Sequence, residues 1–228
     1  MNSLIGKALT EGKPLWPEMF PAELLEKRKE VMGLVNFNLQ YQNDAALALG
    51  SVFRQEWINY RSAPPEGLAV FQGVDLAVSA GRFADYFALV TIGVSPDFEV
   101  FVLDSFRARL TFERQLQAVI EKARQFDPVR IAVEATGYQA AFAQTLTSRT
   151  PLPVKAVYPH KDKVTRAWRL SALFENGKVF LGRGQELLEE ELLAFPDGEH
   201  DDLFDALEMA VGTARGPFAA KLLRVPGI

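Results

Sequence analysis

The sequence predicts an α/β protein built on a mixed sheet, with three antiparallel strands followed by parallel ones and helices flanking them. From residue 68 onward, apolar runs rich in β-branched and aromatic residues alternate with segments of helical spacing. The first three apolar runs follow one another without a helix, which is typical of antiparallel strands. Each later run follows a helical segment, which is typical of parallel strands joined by crossovers.

The first three strands are predicted in "LAVFQGVDLA" (68–77), "DYFALVTIGVS" (85–95) and "FEVFVLDSFRA" (98–108). The first run is interrupted by Gly73 and reaches Asp75, and "PD" between the second and third runs predicts a hairpin turn. The elements predicted after them are a helix over 111–126 with Thr111 as a candidate cap, a strand over 129–135, a helix over 139–148, a strand over 152–159, helices over about 162–176 and 185–194, and a last helix beginning near Asp201.

The chain before this pattern has a different character. "SAPPEG" (62–67) reads as a linker, and the preceding segment holds several prolines, a predicted helix over 21–32 and a polar, aromatic stretch. We therefore expect residues 1–62 to form an arm and residues 63–228 to form the α/β domain.

Composition excludes several classes of protein. The 228 residues include no cysteine, which excludes disulfides and thiolate metal sites, and only two histidines, which argues against a His-rich zinc site. No run of about 18 apolar residues occurs, and the first residues lack the apolar core of a signal peptide. The sequence thus predicts a soluble intracellular protein without a membrane partner.

Charge is distributed unevenly although the net charge is only −4. Residues 155–183 hold seven basic and two acidic side chains, whereas residues 184–205 hold nine acids and no base. A basic tract beside an acidic cluster suits a metal-dependent enzyme that acts on a polyanion. Solvated helix faces of either sign are an equally good explanation of charge alone.

Acidic residues end two predicted strands and open the last helix. Asp75 and Glu134 lie at carboxyl ends of strands, the edge at which open α/β sheets bind ligands, although a single acid there is often a turn-former or cap. Asp202 and Asp205 share one helix face beside Asp201. One cap needs one Asp, and a divalent cation would offset the repulsion among the rest. Carboxylates without Cys or His suit Mg²⁺ or Mn²⁺, and two such ions would support phosphodiester hydrolysis.

These acids, with "GVDLA", "IAVEATGYQ", "KDKVTRA", "ENGKV" and "ELLAFPDGEHDDLFDALEMA" in this order, resemble the RNase H-like nuclease superfamily. More specifically, residues 68–212 resemble the C-terminal nuclease domain of phage large terminase subunits, the DNA-packaging motors. Residues 1–62 are similar to the segment that joins the terminase ATPase to its nuclease. No "GxxxxGK[ST]" P-loop occurs, so the resemblance does not extend to the ATPase half of these proteins.

The resemblance implies roles for individual residues. Asp75 would bridge two Mg²⁺ or Mn²⁺ ions, and the remaining metal ligands and catalytic acids would be Glu134, Asp202 and Asp205, with Asp201 as a supporting acid. The other implied site residues are Lys161, Lys163 and Arg166, which would contact DNA phosphates, and the ancillary Asp85 and His200. A solvated helix face for the three basic residues, and a surface cap for His200, are the structural alternatives.

The resemblance further implies an endonuclease that cuts double-stranded DNA during viral genome packaging in the host cytoplasm. Its partners in the full-length motor would be the portal and the small terminase subunit. Two alternatives remain open: a RuvC-like Holliday-junction resolvase or another RNase H-like nuclease, and a non-catalytic DNA-binding or assembly module whose acids cap helices.

Overall fold

The structure is a computed structural model that describes residues 6–43, 52–77, 86–158 and 162–214. The strands are β1 (Leu9–Thr10), β2 (Lys13–Pro14), β3 (Asn59–Tyr60), β4 (Ala69–Asp75), β5 (Phe87–Val94), β6 (Val100–Ala108), β7 (Arg130–Glu134), β8 (Val154–Val157) and β9 (Val179–Leu181). The helices are α1 (Ala22–Met32), α2 (Leu34–Tyr41), α3 (Phe112–Phe126), α4 (Tyr138–Arg149), α5 (Lys163–Glu175), α6 (Glu186–Ala194) and α7 (Asp202–Ala214).

One mixed sheet of seven strands organises the molecule, in the order β3-β9-β6-β5-β4-β7-β8. Strands β4, β5 and β6 pair antiparallel, whereas β7 and β8 are added parallel beyond β4. The predicted fold class is therefore confirmed. Because β6 and β7 both run parallel to β4, these three strands end at the same edge of the sheet.

Helices cover both faces of the sheet, as expected for strands that are apolar on both sides. Helices α5, α6 and α7 pack on one face around Phe71, Val90 and Phe204, which are fully buried. Helices α3 and α4 pack on the other face around Leu89, Val119, Phe142 and their neighbours. Side chains alternate along β4, so Gly73 and Asp75 face the layer that contains α7.

Strand β9, which has three residues and lies between α5 and α6, was not predicted from the sequence. This run is too short for a periodic signal, and it becomes a strand because it pairs parallel with β6 on one side and β3 on the other. Helix α2 was also missed, since its polar and aromatic sequence has no clear apolar face.

The segment before the linker contributes to the core. Val52, Phe53 and Ile58 are buried against the layer of α5, α6 and α7, and β3 extends the sheet. The division of the chain at residue 62 remains a prediction.

Helix starts show one correction. Thr111 occupies the N-cap of α3, but its side chain makes no capping hydrogen bond. At α5, by contrast, the Asp162 carboxylate accepts a hydrogen bond of 2.8 Å from the backbone N–H of Thr165. Within the described part of the chain, no helix is long and apolar enough to cross a membrane.

Candidate active site

Two acids predicted from the sequence lie side by side at one edge of the sheet. Asp75 is the last residue of β4 and Glu134 is the last residue of β7, and these strands are parallel neighbours with Val74 opposite Val133. The hydroxyl of Thr136 donates a hydrogen bond of 2.7 Å to Glu134. The topology therefore places both carboxylates at the ligand-binding edge expected for this architecture.

Helix α7 brings the other acids to the same edge. It crosses β4 at Gly73, where a side-chain carbon would overlap the carbonyl oxygen of Ala206 and lie 2.7 Å from the backbone nitrogen of Ala210. Only glycine permits this approach. Since Ala206 follows Asp205 directly, the contact fixes the first turn of α7 next to the end of β4.

Glu191 of α6 caps the first turn of α7. Its carboxylate accepts hydrogen bonds from the backbone N–H groups of Leu203 (2.8 Å) and Phe204 (3.2 Å). The same carboxylate forms an ion pair with Arg107 of β6, and the two side chains are only 5% and 13% exposed. The buried pair thus ties α7 to both α6 and the sheet, although burial still raises the pKa of Glu191 against these stabilising contacts.

Two carboxyl groups of the acidic group have raised pKa values. Burial raises the pKa of Asp75 well above its usual value, and the charges of Asp205, Asp202 and Glu134 raise it further, with Lys163 opposing them. Burial and the charge of Asp201 likewise raise the pKa of Asp202. The carboxylates therefore lie close enough to repel one another, and the nearby basic side chains do not fully offset this repulsion.

Two basic side chains of α5 face these acids. The ammonium of Lys163 binds Asp201 and lies 2.6 Å from Asp205. Arg166 donates hydrogen bonds to Asp205 (3.1 Å) and Glu208 (2.7 Å). Burial disfavours the charged forms of Lys163 and Arg166, but the contacts with the acids outweigh it and raise the pKa of each. Neither residue belongs to a solvated helix face.

The donor set suits a hard divalent cation, because Asp75, Glu134, Asp202 and Asp205 offer only carboxylate oxygens. Among the described residues, however, no three His, Asp or Glu side chains are spaced to hold a metal ion as they stand. Asp205 illustrates the reason, since Lys163 and Arg166 already engage its oxygens. Metal binding would require these side chains to rotate while the backbone positions stay in place.

The remaining predicted residues have varied positions. Asp201 pairs with Lys163, and the ring of His200 meets the ring of Tyr86 edge-on with centroids 5.0 Å apart. The predictions for Asp85 and Lys161 lie outside the described residues.

Glu191, Arg107 and Tyr86 were not predicted from the sequence, and Gly73 was predicted only to interrupt a strand. Glu191 had a detectable signal, because it falls on the apolar face of α6 between Leu188 and Leu192 at helical spacing. Arg107 and Tyr86 had none, since their proximity depends on the pairing of β5 with β6.

Comparisons with known proteins support the same fold. The structure of the large terminase from a thermophilic bacteriophage is similar with a TM-score of 0.65 at 10% identity, covering 86% of this chain and 53% of that one. The chain therefore spans about half the length of that protein. The P22 large terminase nuclease domain gives a TM-score of 0.59 at 14% identity, covering 78% of this chain and 98% of that one.

A third similar structure is the large terminase nuclease from thermophilic phage G20c with bound magnesium, with a TM-score of 0.56 at 16% identity. It covers 72% of this chain and 97% of the phage domain. A comparison with curated protein sequences finds no match. The family model for the terminase RNaseH-like domain matches residues 72–213, which is more than half of the chain and includes Asp75, Glu134, Asp202 and Asp205. The chain therefore belongs to the terminase RNase H-like domain family, and its fold is that of the large terminase nuclease domains.

Proposed function

We propose that this chain is an endonuclease domain that hydrolyses double-stranded DNA during viral genome packaging. The observation that carries the proposal is the convergence of Asp75, Glu134 and the first turn of α7 at one sheet edge, where burial and then the charges of the other acids raise the pKa of Asp75. Structural acids seldom accumulate in this way, because burying like charges without a ligand destabilises the folded state.

Divalent ions are the cofactors that we propose for the site. The similar G20c nuclease has been solved with magnesium, cobalt and zinc bound, which supports a divalent ion in this family. Asp75, Glu134, Asp202 and Asp205 would hold two Mg²⁺ or Mn²⁺ ions, which supply an activated water and stabilise the leaving oxygen of the phosphodiester. Asp201 would support the group from outside it.

The residues of the site have different proposed roles. Asp75 lies at the electrostatic centre, since the charges of three other carboxylates act on it. Lys163 and Arg166 neutralise Asp205 in the free protein, and we propose that they turn to DNA phosphates when the acids bind metal. Lys161, close by in sequence, would join them. Phosphate contacts of this kind give affinity with little sequence preference.

The biological setting follows from the family. We propose that the domain acts within a packaging motor in the host cytoplasm, with an ATPase half, the portal and the small terminase subunit as partners. A nuclease that acts inside such a motor needs little DNA affinity of its own, which agrees with the net charge of −4.

Plasmid cleavage tests the proposal. The purified chain is incubated with supercoiled plasmid, linear duplex and a four-way junction, in Mn²⁺, Mg²⁺ or EDTA. We expect metal-dependent cutting of plasmid and duplex that is lost in Asp75→Ala and Asp202→Ala and kept in Asp197→Ala, which removes an exposed acid near α7. Selective cutting of the junction would instead establish a resolvase, and intact DNA with folded protein would contradict the proposal.

A further inference from the structure

A second basic group, distinct from the basic residues of α5, lies on the same sheet face as Asp75. Asp75 pairs with Ala88 across β4 and β5, and Ala88 pairs with Arg107 across β5 and β6. The side chains of one such row point to the same face, so Arg107 faces the same layer as Asp75. Two strand spacings separate their backbones, which amounts to about 10 Å. Arg109 follows on the same face, just beyond the end of β6.

The ring of Tyr86 joins the members of this group. The guanidinium of Arg107 lies 4.7 Å from the ring centroid and that of Arg109 lies 4.2 Å from it. The ring of His200 meets it at 85° with centroids 5.0 Å apart. Residues from β6, from just beyond its end and from the segment before α7 therefore converge on Tyr86, which directly precedes β5.

The members of the group differ in what they can offer a ligand. Arg107 is largely buried and is held by the carboxylate of Glu191, so it anchors Tyr86. Arg109 is exposed. A guanidinium held over an aromatic ring is restrained in position, and its planar set of N–H groups remains able to donate hydrogen bonds. Such a guanidinium is suited to bidentate binding of a phosphate.

Hydrogen bonds link this group to the acids. The Glu191 carboxylate that holds Arg107 also accepts hydrogen bonds from the backbone N–H groups of Leu203 and Phe204, directly after Asp202. Lys163 and Arg166 of α5 contact Asp205. The acidic group is thus accompanied by basic side chains from both α5 and β6, an arrangement that fits binding of a polyanion.

We propose that Tyr86, Arg107, Arg109 and His200 form a phosphate-binding subsite for the DNA strand that is cut at the acids, an inference that rests on the proposed nuclease function. Arg109 contacts the phosphate, His200 lines the path, and Arg107 with Tyr86 holds Arg109 in place.

Binding of a short fluorescein-labelled DNA duplex, measured by anisotropy in Ca²⁺ over a series of salt concentrations, tests the subsite. The unchanged chain is compared with Arg109→Ala, Arg109→Lys, Tyr86→Ala and Tyr86→Phe. Arg149→Ala is the matched control, because Arg149 is an exposed, ion-paired arginine of α4 on the other face of the sheet.

For Arg109→Ala we expect about tenfold weaker binding and a salt slope, d log K/d log [salt], smaller in magnitude by about 0.9, the loss of one phosphate contact. Arg109→Lys keeps the slope but not the full affinity, because it retains charge without the planar stack. Tyr86→Ala weakens binding, and Tyr86→Phe restores it, because the ring and not the hydroxyl holds Arg109.

A purely structural role would change the melting temperature without changing the salt slope. The inference is overturned if Arg109→Ala binds with the Kd and slope of Arg149→Ala. If this happens while the unchanged chain still cuts DNA, the proposed function stands and only the subsite is wrong. If the unchanged chain neither binds nor cuts the duplex, both proposals are wrong.

Discussion

Gly73 of β4 and Ala206 of α7 lie backbone to backbone, so closely that a side-chain carbon on Gly73 would overlap the Ala206 carbonyl oxygen. This contact sets the distance between the strand that ends in Asp75 and the helix turn that carries Asp202 and Asp205. The geometry of the acidic group is therefore decided at a residue that takes no part in the chemistry.

Gly73→Ala should destabilise the protein and abolish DNA cleavage. The new methyl group meets backbone atoms of α7, which can yield only if the helix moves, so we expect a loss of at least about 1–3 kcal/mol in urea unfolding. Gly212→Ala is the control within the same helix, because the nearest atom would be a flexible Glu208 oxygen at 3.9 Å. It should leave cleavage intact and stabilise the helix by up to about 1 kcal/mol. Equal effects of the two substitutions would show that the close approach is unimportant.

Lys163→Ala should bind Mn²⁺ more tightly than the unchanged chain and yet cleave DNA more slowly. The ammonium contacts Asp201 and Asp205 in the free protein, so its removal leaves the carboxylates with less competition for the ion. Cleavage slows because a phosphate contact is lost. Calorimetric titration with Mn²⁺ measures the first effect. Lys122→Ala removes an ammonium paired with Asp104 elsewhere and should leave Mn²⁺ affinity unchanged. Weaker Mn²⁺ binding by Lys163→Ala would contradict this account.

Asp75→Asn should raise the melting temperature in EDTA at neutral pH. The folded state holds the pKa of Asp75 well above the unfolded value, so it retains a proton that the unfolded chain releases. Stability contributed by this group is therefore present at low pH and lost as pH rises from the unfolded to the folded pKa. The amide avoids that loss, and each kcal/mol recovered corresponds to about 2–4 °C.

The gain in Asp75→Asn should shrink as pH is lowered through the folded pKa of Asp75, which differential scanning fluorimetry across a pH series would detect. Mn²⁺ should raise the melting temperature of the unchanged chain more than that of the variant, because bound metal relieves the repulsion. A variant that melts lower than the unchanged chain at every pH would refute the repulsion.

Glu191→Ala should cost about 3–5 kcal/mol of folding free energy, because it leaves the buried Arg107 without its partner and uncaps α7. Glu191→Gln keeps an acceptor for the two backbone N–H groups and should cost less. Glu190→Ala, which truncates the exposed neighbour, should change stability by no more than about 0.5 kcal/mol. Urea unfolding measures the free energy of unfolding of the three variants. Equal values for all three would contradict a buried, capping role for Glu191.

Much of the fold could be predicted from sequence because its signals are local. Helix α3 shows regular apolar spacing, and β5 and β6 are long apolar runs separated by a turn. Strand β9 could not be predicted, since three residues carry no period and its pairing partners, β3 and β6, are distant in sequence.

The site was predictable to the extent that its residues end or begin regular elements. Asp75, Glu134 and Asp202 occupy such positions, and the topology rules bring them to one edge. Their basic neighbours depend on side-chain contacts between elements distant in sequence, as Arg107 with Glu191 shows. Such contacts cannot be predicted from the spacing of residues in the sequence.

The proposed active site can be tested by the rate of Mn²⁺-dependent plasmid nicking by four amide variants. Asp75→Asn, Glu134→Gln, Asp202→Asn and Asp205→Asn keep side-chain size but remove the charge that would hold the ions. We expect each to slow nicking by at least about a hundredfold. Asp201→Asn should slow it far less, and Asp197→Asn should not slow it. Nicking that persists at the unchanged rate in any of the four would contradict the assignment of that carboxylate, and persistence in all four would refute the proposed active site.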